Sequence, residues 1–385
     1  MNARRLLLLI GQSPFDPTSG AAQATRQMAE LLAGAGWAVE ALATSGCEGD
    51  TPLTAEELLA AHGGTVEGVQ HFAGAQVLRA QAHGVRHRIV LTAPARRHHW
   101  EQDVGACYAA SLDEVLARSD PRCVLTYGDD AGDRIRRQRL RAHGARVVFV
   151  LHNLAYLRAR PAACDAFVCP SRFLAGRYQA AWGEAPQVLP TPLMPAPGAG
   201  GEREPVFVTF VNPEPAKGVA LIARLAERLG RERPDIPLLV VEGRARAAQL
   251  LAAGDTAGFD LRRWPNLMFS PALPDASALW ARTRVVLMPS QVEEAAGRCA
   301  LEAMAQGAVA LVSARGALPE TVGDAGIVLP PDDPDAWFAA LLPLCDDEAL
   351  YAARSEQSYR QARAHAPQAL QSRYAETFEA ILARP

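Results

Sequence analysis

The feature that most constrains this chain is that its pattern restarts. From Leu6 to Cys169, short apolar runs alternate with helical patterns. The stretch from Pro190 to Pro205, PTPLMPAPGAGGEREP, then turns to proline, glycine and alanine, and the alternation begins again at Val206. Strands that alternate with helices imply a parallel sheet covered on both faces. The proline- and glycine-rich stretch reads as a linker. A chain of 385 residues is long enough for two such domains at about 100–200 residues each.

In the first half, Leu6–Ile10 and Trp37–Ala43 read as strands, and Met28, Leu31, Leu32 and Ala35 share one face of the helix between them. Further strands are expected at Arg88–Thr92, Cys123–Tyr127, Val147–Leu151 and Ala166–Cys169. In the second half the expected strands are Val206–Val211, Leu238–Val241, Val285–Met288 and Ala308–Val312, with a helical stripe at Leu221, Ile222, Leu225 and Leu229. The expected boundaries are 1–190 for the first domain, 191–205 for the linker, 206–365 for the second domain and 366–385 for an amphipathic last helix. Two α/β domains facing one another leave a cleft at the carboxyl ends of their strands, where open sheets bind ligands.

Composition excludes several classes. Hydrophobic residues make up 49% and charged residues 21%, the balance of a folded globular chain. A net charge of −3 gives no reason to expect nucleic acid. Seven cysteines, odd in number and without a CxxC pair, point to reduced thiols and a cytoplasmic protein. The apolar run at Leu6–Ile10 is too short for a signal peptide, and no stretch approaches the ~18 apolar residues of a membrane span. The cluster Arg96-Arg-His-His-Trp100 and the arginines from Arg134 to Arg141 read as a solvated basic surface, with peripheral contact to an anionic membrane or a charged acceptor as the alternative.

The strongest local signal runs from Pro289-Ser290 through Glu293-Glu294-Ala295-Ala296-Gly297-Arg298 to Glu302. A strand ends at Pro289 and a helix is expected to start near Gly297, where free backbone N–H groups suit a phosphate and the glycine lets a ligand approach closely. Glu294 and Glu302 are eight residues apart, a rise of about 12 Å if the segment is helical throughout. That span suits the two ends of a sugar nucleotide. The plainer reading is a dipole-complementing glutamate and a solvated one.

The second signal is Asn212-Pro-Glu-Pro-Ala-Lys217-Gly218, again between a strand and a helix. Among 39 basic residues Lys217 is the only lysine. A compact ammonium on a flexible stem can neutralise a diphosphate as it leaves. The third is His152-Asn153, directly after an apolar strand. It is placed either to bond a sugar or acceptor hydroxyl or to cap the next turn. The loop Pro14-Phe-Asp-Pro-Thr-Ser19-Gly20 precedes a helix and is a weaker candidate for phosphate or acceptor contact.

At these residues the sequence resembles glycosyltransferase family 4, a group of retaining transferases with the GT-B fold of two Rossmann-like domains. The resemblance covers nearly the whole chain and is most specific from Asn212 to Pro330. Glu294 and Glu302 match the family's E-x7-E signature, and Lys217-Gly218 its phosphate-loop Lys-Gly. Arg315-Gly-Ala-Leu-Pro-Glu320 is similar to its Gly-Gly-x-Pro-Glu turn, with Ala317 at the second glycine. Phe15 to Gly20, His152-Asn153 and Asp165 to Ser171 are similar to recurrent segments of its first domain.

The resemblance implies a nucleotide diphosphate sugar as co-substrate, an acceptor hydroxyl on a glycan, a lipid-linked sugar or a small molecule, and no metal or other cofactor. Glu294 would contact donor-sugar hydroxyls, Glu302 the ribose, Lys217 the diphosphate, and His152 the sugar near the reacting carbon. Gly218 and the run Ala295 to Arg298 would line the donor. Ser19, Gly20 and Asn153 would line the acceptor or phosphate loop. The last helix would cross back to the first domain. Where the family carries an arginine shortly before the lysine, this chain has Asn212, and Arg244 or Arg298 is the candidate replacement for its charge. Ala296 stands where the family has a bulkier residue, and Gly20-Ala21 where it has paired glycines. The alternatives are a non-catalytic nucleotide-sugar-binding protein of the same fold, a GT-B epimerase and a sugar phosphorylase.

Overall fold

The computed structural model describes residues 4–93, 99–194, 203–273 and 276–384. They form two compact units: residues 4–170, 174–194 and 366–384 in the first, and 171–173 and 203–365 in the second. Most of the expected linker, residues 195–202, and residues 96–98 of the basic cluster lie outside the described residues.

The first unit contains β1 (Arg5–Leu9), α1 (Gly20–Gly34), β2 (Ala38–Thr44), α2 (Ala55–Ala61), β3 (Thr65–Phe72), β4 (Ala75–Ala82), β5 (Val85–Val90), α3 (Trp100–Ser119), β6 (Cys123–Thr126), α4 (Ala131–Ala142), β7 (Arg146–Val150), β8 (Ala166–Cys169), α5 (Arg172–Trp182) and β9 (Gln187–Val188). Its sheet runs β3-β4-β5-β2-β1-β6-β7-β8-β9. The pairs from β5 to β9 are parallel. After Arg5, β1 is apolar from Leu6 to Leu9 because both of its faces are covered. Leu6 and Leu8 join a core with Met28, Leu31 and Leu32 of α1, while Leu7 and Leu9 join Tyr108, Leu112 and Val115 of α3.

The hairpins β3-β4 and β4-β5 are antiparallel, a departure from the wholly parallel sheet that the alternation suggests. Each turn has two residues with positive φ, Ala73-Gly74 at 46° and 88° and His83-Gly84 at 47° and 79°. Those are the signs a type I′ turn requires. The strand expected at Arg88–Thr92 begins earlier, at Val85. Two arginines fit inside it because Arg86 is exposed and Arg88 is buried in a bidentate pair with Glu114, at 2.7 and 2.8 Å.

The second unit contains β10 (Phe207–Val211), α6 (Val219–Glu232), β11 (Leu238–Val241), α7 (Ala247–Thr256), β12 (Leu267–Ser270), α8 (Ser277–Ala281), β13 (Thr283–Met288), α9 (Arg298–Met304), β14 (Val309–Ser313), α10 (Leu318–Val322), β15 (Ile327–Leu329), α11 (Pro334–Asp346) and α12 (Glu348–Arg363). All six strands are parallel, in the order β12-β11-β10-β13-β14-β15. Leu221, Ile222, Leu225 and Leu229 of α6 are buried against Val208, Phe210, Val240 and Leu287 of the strands. Arg203 ties the start of this segment down. It donates to Ser355 Oγ at 3.0 Å and to the Gly307 carbonyl at 2.6 Å, and it also bonds the Tyr351 hydroxyl. The last helix, α13 (Pro367–Ala383), packs on α1 of the first unit.

Candidate functional site

In the second sheet β10 is first in sequence and central in space. β11 and β12 extend to one side of it and β13 to β15 to the other. The order therefore reverses between β10 and β13, and a ligand crevice opens at the carboxyl ends of strands at such a point. Lys217 ends the short 3₁₀ turn Pro215–Lys217 after β10, and Glu294 lies in the loop after β13. Lys217 Nζ is 2.5 Å from Glu294 Oε1, and Ser290 Oγ donates to the same oxygen at 2.6 Å. Residues 77 positions apart are thus joined at the switch point.

Two glycines allow this approach. Gly218 has φ +89°, and a Cβ there would lie 2.1 Å from the Pro289 carbonyl oxygen. Gly316 has φ +62°, and its Cβ would lie 2.3 Å from Glu294 O and 2.4 Å from Glu294 N. The neighbouring Ala317 N–H donates to Glu294 O at 2.8 Å. Ala317 itself has φ −83°, a value open to any residue, so no glycine is needed there. Gln291 N–H donates to the Ala216 carbonyl at 2.9 Å and Ser313 Oγ to the Ser290 carbonyl at 2.7 Å, which ties the loops together.

Glu294 is not helical, because α9 begins at Arg298 with Gly297 as its N-cap at φ +61°. The expected 12 Å helical rise between the two glutamates therefore does not apply. Glu302 lies within α9, and its Oε1 accepts from Arg298 Nε at 2.5 Å. Ala295 and Ala296 are partly buried between Glu294 and Gly297, and the Ala296 carbonyl accepts from Thr321 Oγ1 at 2.7 Å. Asn212 adopts φ +62°, which asparagine tolerates better than most residues. Its Oδ1 accepts from Ala245 N–H at 2.9 Å, so it braces the β11 loop. Arg244 in that loop lies with its Nε 3.2 Å from Glu214 Oε1.

The first sheet reverses order at β1, with β2 on one side and β6 on the other. His152 follows β7, and its Nε2 is 2.7 Å from Thr25 Oγ1 on α1. Tyr127, just past β6, meets the imidazole edge-on with centroids 5.1 Å apart. The Tyr127 hydroxyl is buried without a hydrogen-bond partner. Burial holds the phenol well above its ordinary range, and the carboxylates of Glu48 and Asp16 add to the shift. Asn153 Oδ1 accepts from Ala155 N–H at 2.9 Å, and its carbonyl accepts from the Tyr178 hydroxyl at 2.7 Å, so this residue shapes the turn.

Ser19 caps α1, and its Oγ donates to Glu48 Oε1 at 2.9 Å. Gly20 opens the helix, with empty space where a Cβ would stand. The loop is pinned by buried Asp16, which accepts from Thr18 N–H at 2.8 Å, Thr18 Oγ1 at 2.7 Å and Glu48 N–H at 2.6 Å. Thr25, Glu48 and Tyr127 were not singled out from the sequence. None belongs to a run of unusual composition, and only the folding of α1, β6 and β7 side by side brings Thr25 and Tyr127 to the histidine.

The arginines of α4 are each matched by a carboxylate. Arg134 and Arg137 meet Asp129, Arg136 meets Glu101 and Asp133, Arg139 meets Asp113, and Arg141 meets Asp165. The helix therefore presents ion pairs rather than bare cations. Among the described residues, no three His, Cys, Asp or Glu side chains are grouped to hold a metal ion. No helix among them is long and apolar enough to cross a membrane.

Residues 204–347 match the model of the family described as Glycosyl transferases group 1. Over 168 residues the chain is 33% identical to a phosphatidyl-myo-inositol mannosyltransferase of Mycolicibacterium smegmatis, a match that covers 41% of this chain and 42% of that protein. The chain thus spans about two-fifths of that relative's length. The likeness in structure extends over the whole chain. Sucrose-phosphate synthase from Thermosynechococcus elongatus superposes with a TM-score of 0.67 at 17% identity, covering 99% of this chain and 100% of that one. Anabaena HepE, solved in complex with UDP and glucose, gives 0.67 at 15% identity over 97% and 99%. The fold is GT-B.

Proposed function

We propose that this chain, whose second unit matches the group 1 glycosyl transferases, moves a sugar from a nucleotide diphosphate donor to an acceptor hydroxyl with retention of anomeric configuration. The observation that carries the reading is the Lys217–Glu294 pair, shared with Ser290, at the switch point of the second sheet. During transfer the bond from the anomeric carbon to the diphosphate breaks and the bond to the acceptor oxygen forms. Negative charge grows on the leaving diphosphate, and a lysine ammonium stabilises it most where water is excluded. Glu294 is acceptor-only when ionised and suits the hydroxyls of the donor sugar. In the ligand-free protein each charge satisfies the other. Donor binding exchanges that one contact for two, diphosphate on Lys217 and sugar on Glu294.

Glu302, held by Arg298, is assigned to the ribose, and Arg244 and Arg298 supply further positive charge, so the reaction runs without a metal. Retention follows from the resemblance to a retaining family. The relative's mannosyltransferase name and the UDP and glucose bound to HepE support a nucleotide-sugar donor.

The test begins with a thermal-shift screen of UDP, GDP, ADP and TDP and their sugars. The best donor is then turned over in EDTA, and the product's anomeric configuration is read by proton NMR. Stabilisation by a nucleotide sugar, turnover in chelator and a retained configuration are expected. An inverted product would overturn the mechanism. Binding without turnover would leave a nucleotide-sugar-binding protein.

A further inference from the structure

Because β6, β7 and β8 run parallel, their amino ends share the edge of the first sheet opposite His152 and Tyr127. Three charged residues stand at these ends. Arg122 directly precedes β6, Arg146 opens β7, and Asp165 directly precedes β8. Arg141, in the last turn of α4, comes in from the side. With Gly144 and Leu382 they line a cavity of about 510 Å³, within the roughly 300–1,000 Å³ of small-molecule pockets. Gly144, at φ +94°, leaves empty space where a side chain would stand.

The charges here do not balance. Among the described lining residues Asp165 is the only carboxylate, and it is shared. Its Oδ1 lies 3.1 Å from Arg141 Nη2 and 3.7 Å from Arg146 Nη1, while Oδ2 accepts from Val147 N–H at 2.8 Å. Arg146 also donates to the Arg384 carbonyl at 2.5 Å. The Arg122 side chain has no partner among the described residues. Three guanidiniums (+3) against one carboxylate (−1) leave a surplus of two positive charges, in a chain whose net charge is −3. A concave site concentrates such a surplus, and planar guanidinium forks match the oxygens of a phosphate.

We propose that this cavity binds a phosphate monoester of a polar small molecule, at a site separate from the crevice at the carboxyl ends of the strands. A monoester carries close to two negative charges above its second pKa of about 6, which offsets the surplus. Apart from Ala145 and Leu382 the lining is polar or bare backbone, so it suits a polyol body rather than an acyl chain. Arg146 and His152 lie six residues apart along β7 and its end, or about 20 Å at the rise of a strand. The ligand therefore leaves the histidine's surroundings open. Nothing in this assignment rests on the transferase reading.

The experiment is calorimetric titration at pH 7.5 and low salt with inorganic phosphate and with glycerol 3-phosphate. Binding with a dissociation constant of about 1 mM or tighter is expected. Arg122→Glu changes a side chain that the fold does not use, so its urea midpoint should match the wild type while affinity falls by at least about tenfold. Arg141→Gln should weaken binding in the same direction. Arg262→Glu makes the same charge change in the second unit and should leave affinity unaltered. Phosphate held at Lys217 would be common to all four proteins and cancels in the comparison. Equal affinity in wild type and Arg122→Glu would overturn the proposal, as would an equal loss in Arg262→Glu, which would reduce the effect to net charge. Phosphatidic acid presents the same monoester on a membrane, so cosedimentation with phosphatidylcholine vesicles that contain it separates the sources. Glycerol 3-phosphate binding without vesicle binding is expected. Binding of both, lost together in Arg122→Glu, would keep the phosphate site and make the lipid its source. Vesicle binding alone would overturn the cavity in favour of a membrane-facing surface.

Discussion

The two switch points of this chain are built from different chemistry. After β10 and β13 of the second sheet stand a lysine and a glutamate within 2.5 Å of one another, on loops that touch through Gly218 and Gly316. After β6 and β7 of the first sheet stand an uncharged phenol and an imidazole bonded to a threonine hydroxyl. A diphosphate is anionic and becomes more so as it leaves, so full charges belong near it. Under the proposed function an acceptor hydroxyl is neutral and would be met by directional hydrogen bonds rather than by a field. Eight of the nine histidines also fall before the linker. The same architecture thus carries a directly bonded charge pair in one unit and hydrogen-bonding rings in the other.

The sharpest way to break this contrast is Lys217→Ala. It should lower kcat/KM for the donor by about 10²–10³-fold, the cost of one oxyanion-type donor, and steady-state kinetics on folded protein checks it. Gly218→Ala should come next, destabilising the second unit by about 2–4 kcal/mol. The added Cβ meets a backbone carbonyl at 2.1 Å and the backbone stands at φ +89°. Urea unfolding followed by circular dichroism reads it, and an unchanged midpoint would mean that the two loops do not need their close contact.

His87 tests the first unit. Burial, aided by the Arg26 charge, lowers its pKa to about 3. The unfolded chain takes up a proton below about 6.5 while the folded one does not, so stability is full above that pH and falls as pH drops toward 3. The loss should reach about 2 kcal/mol by pH 5. His87→Leu should flatten the dependence of the urea midpoint between pH 7 and pH 5. An equal slope in the variant would place the acid sensitivity elsewhere.

Lys217→Arg keeps the charge but replaces a compact ammonium by a planar fork. It should cost about tenfold in kcat/KM, or ~1.4 kcal/mol, and wild-type rates would mean that charge alone matters there. The smallest effect belongs to Asp255→Ala. Its pair with Arg262, at 2.8 Å, is exposed on both sides, and exposed pairs contribute little. The thermal midpoint should barely move.

The central parallel strands were legible because burial on two faces forces continuous apolar runs such as Leu6–Ile10 and Val147–Leu151. The hairpin β3-β4 was not. β3 is largely exposed, with Val66 and Val69 both 45% accessible, and its turn is Ala-Gly where the usual signal is Asn-Gly. Edge strands such as β12 and β15 are apolar, but at four and three residues they are too short to stand out. At the site, Lys217 was visible because it is the only lysine in the chain, and Glu294 because it follows an apolar strand. Ser290 was quoted only as part of a Pro-Ser turn, and its bond to Glu294 is a tertiary fact. Asn212 was read only as the place where the family's arginine is missing. Its positive φ and its bond to Ala245 show a backbone role that spacing alone could not reveal.

The last helix has a consequence for biosynthesis. Leu370, Tyr374, Phe378 and Ile381 of α13 are buried in the core of the first unit, where Phe378 meets Trp37 edge-on at 6.0 Å. The first unit is therefore discontinuous, while the second is nearly one contiguous stretch. Domains usually mature in the order in which the ribosome delivers them. Here the order inverts: the second sheet can close while the nascent first one still lacks a wall. Until Pro367 to Ala383 leave the exit tunnel, Trp37 and the apolar stripe of α1 stand open to solvent or to a chaperone, and the unit that is begun first is the last of the two to finish.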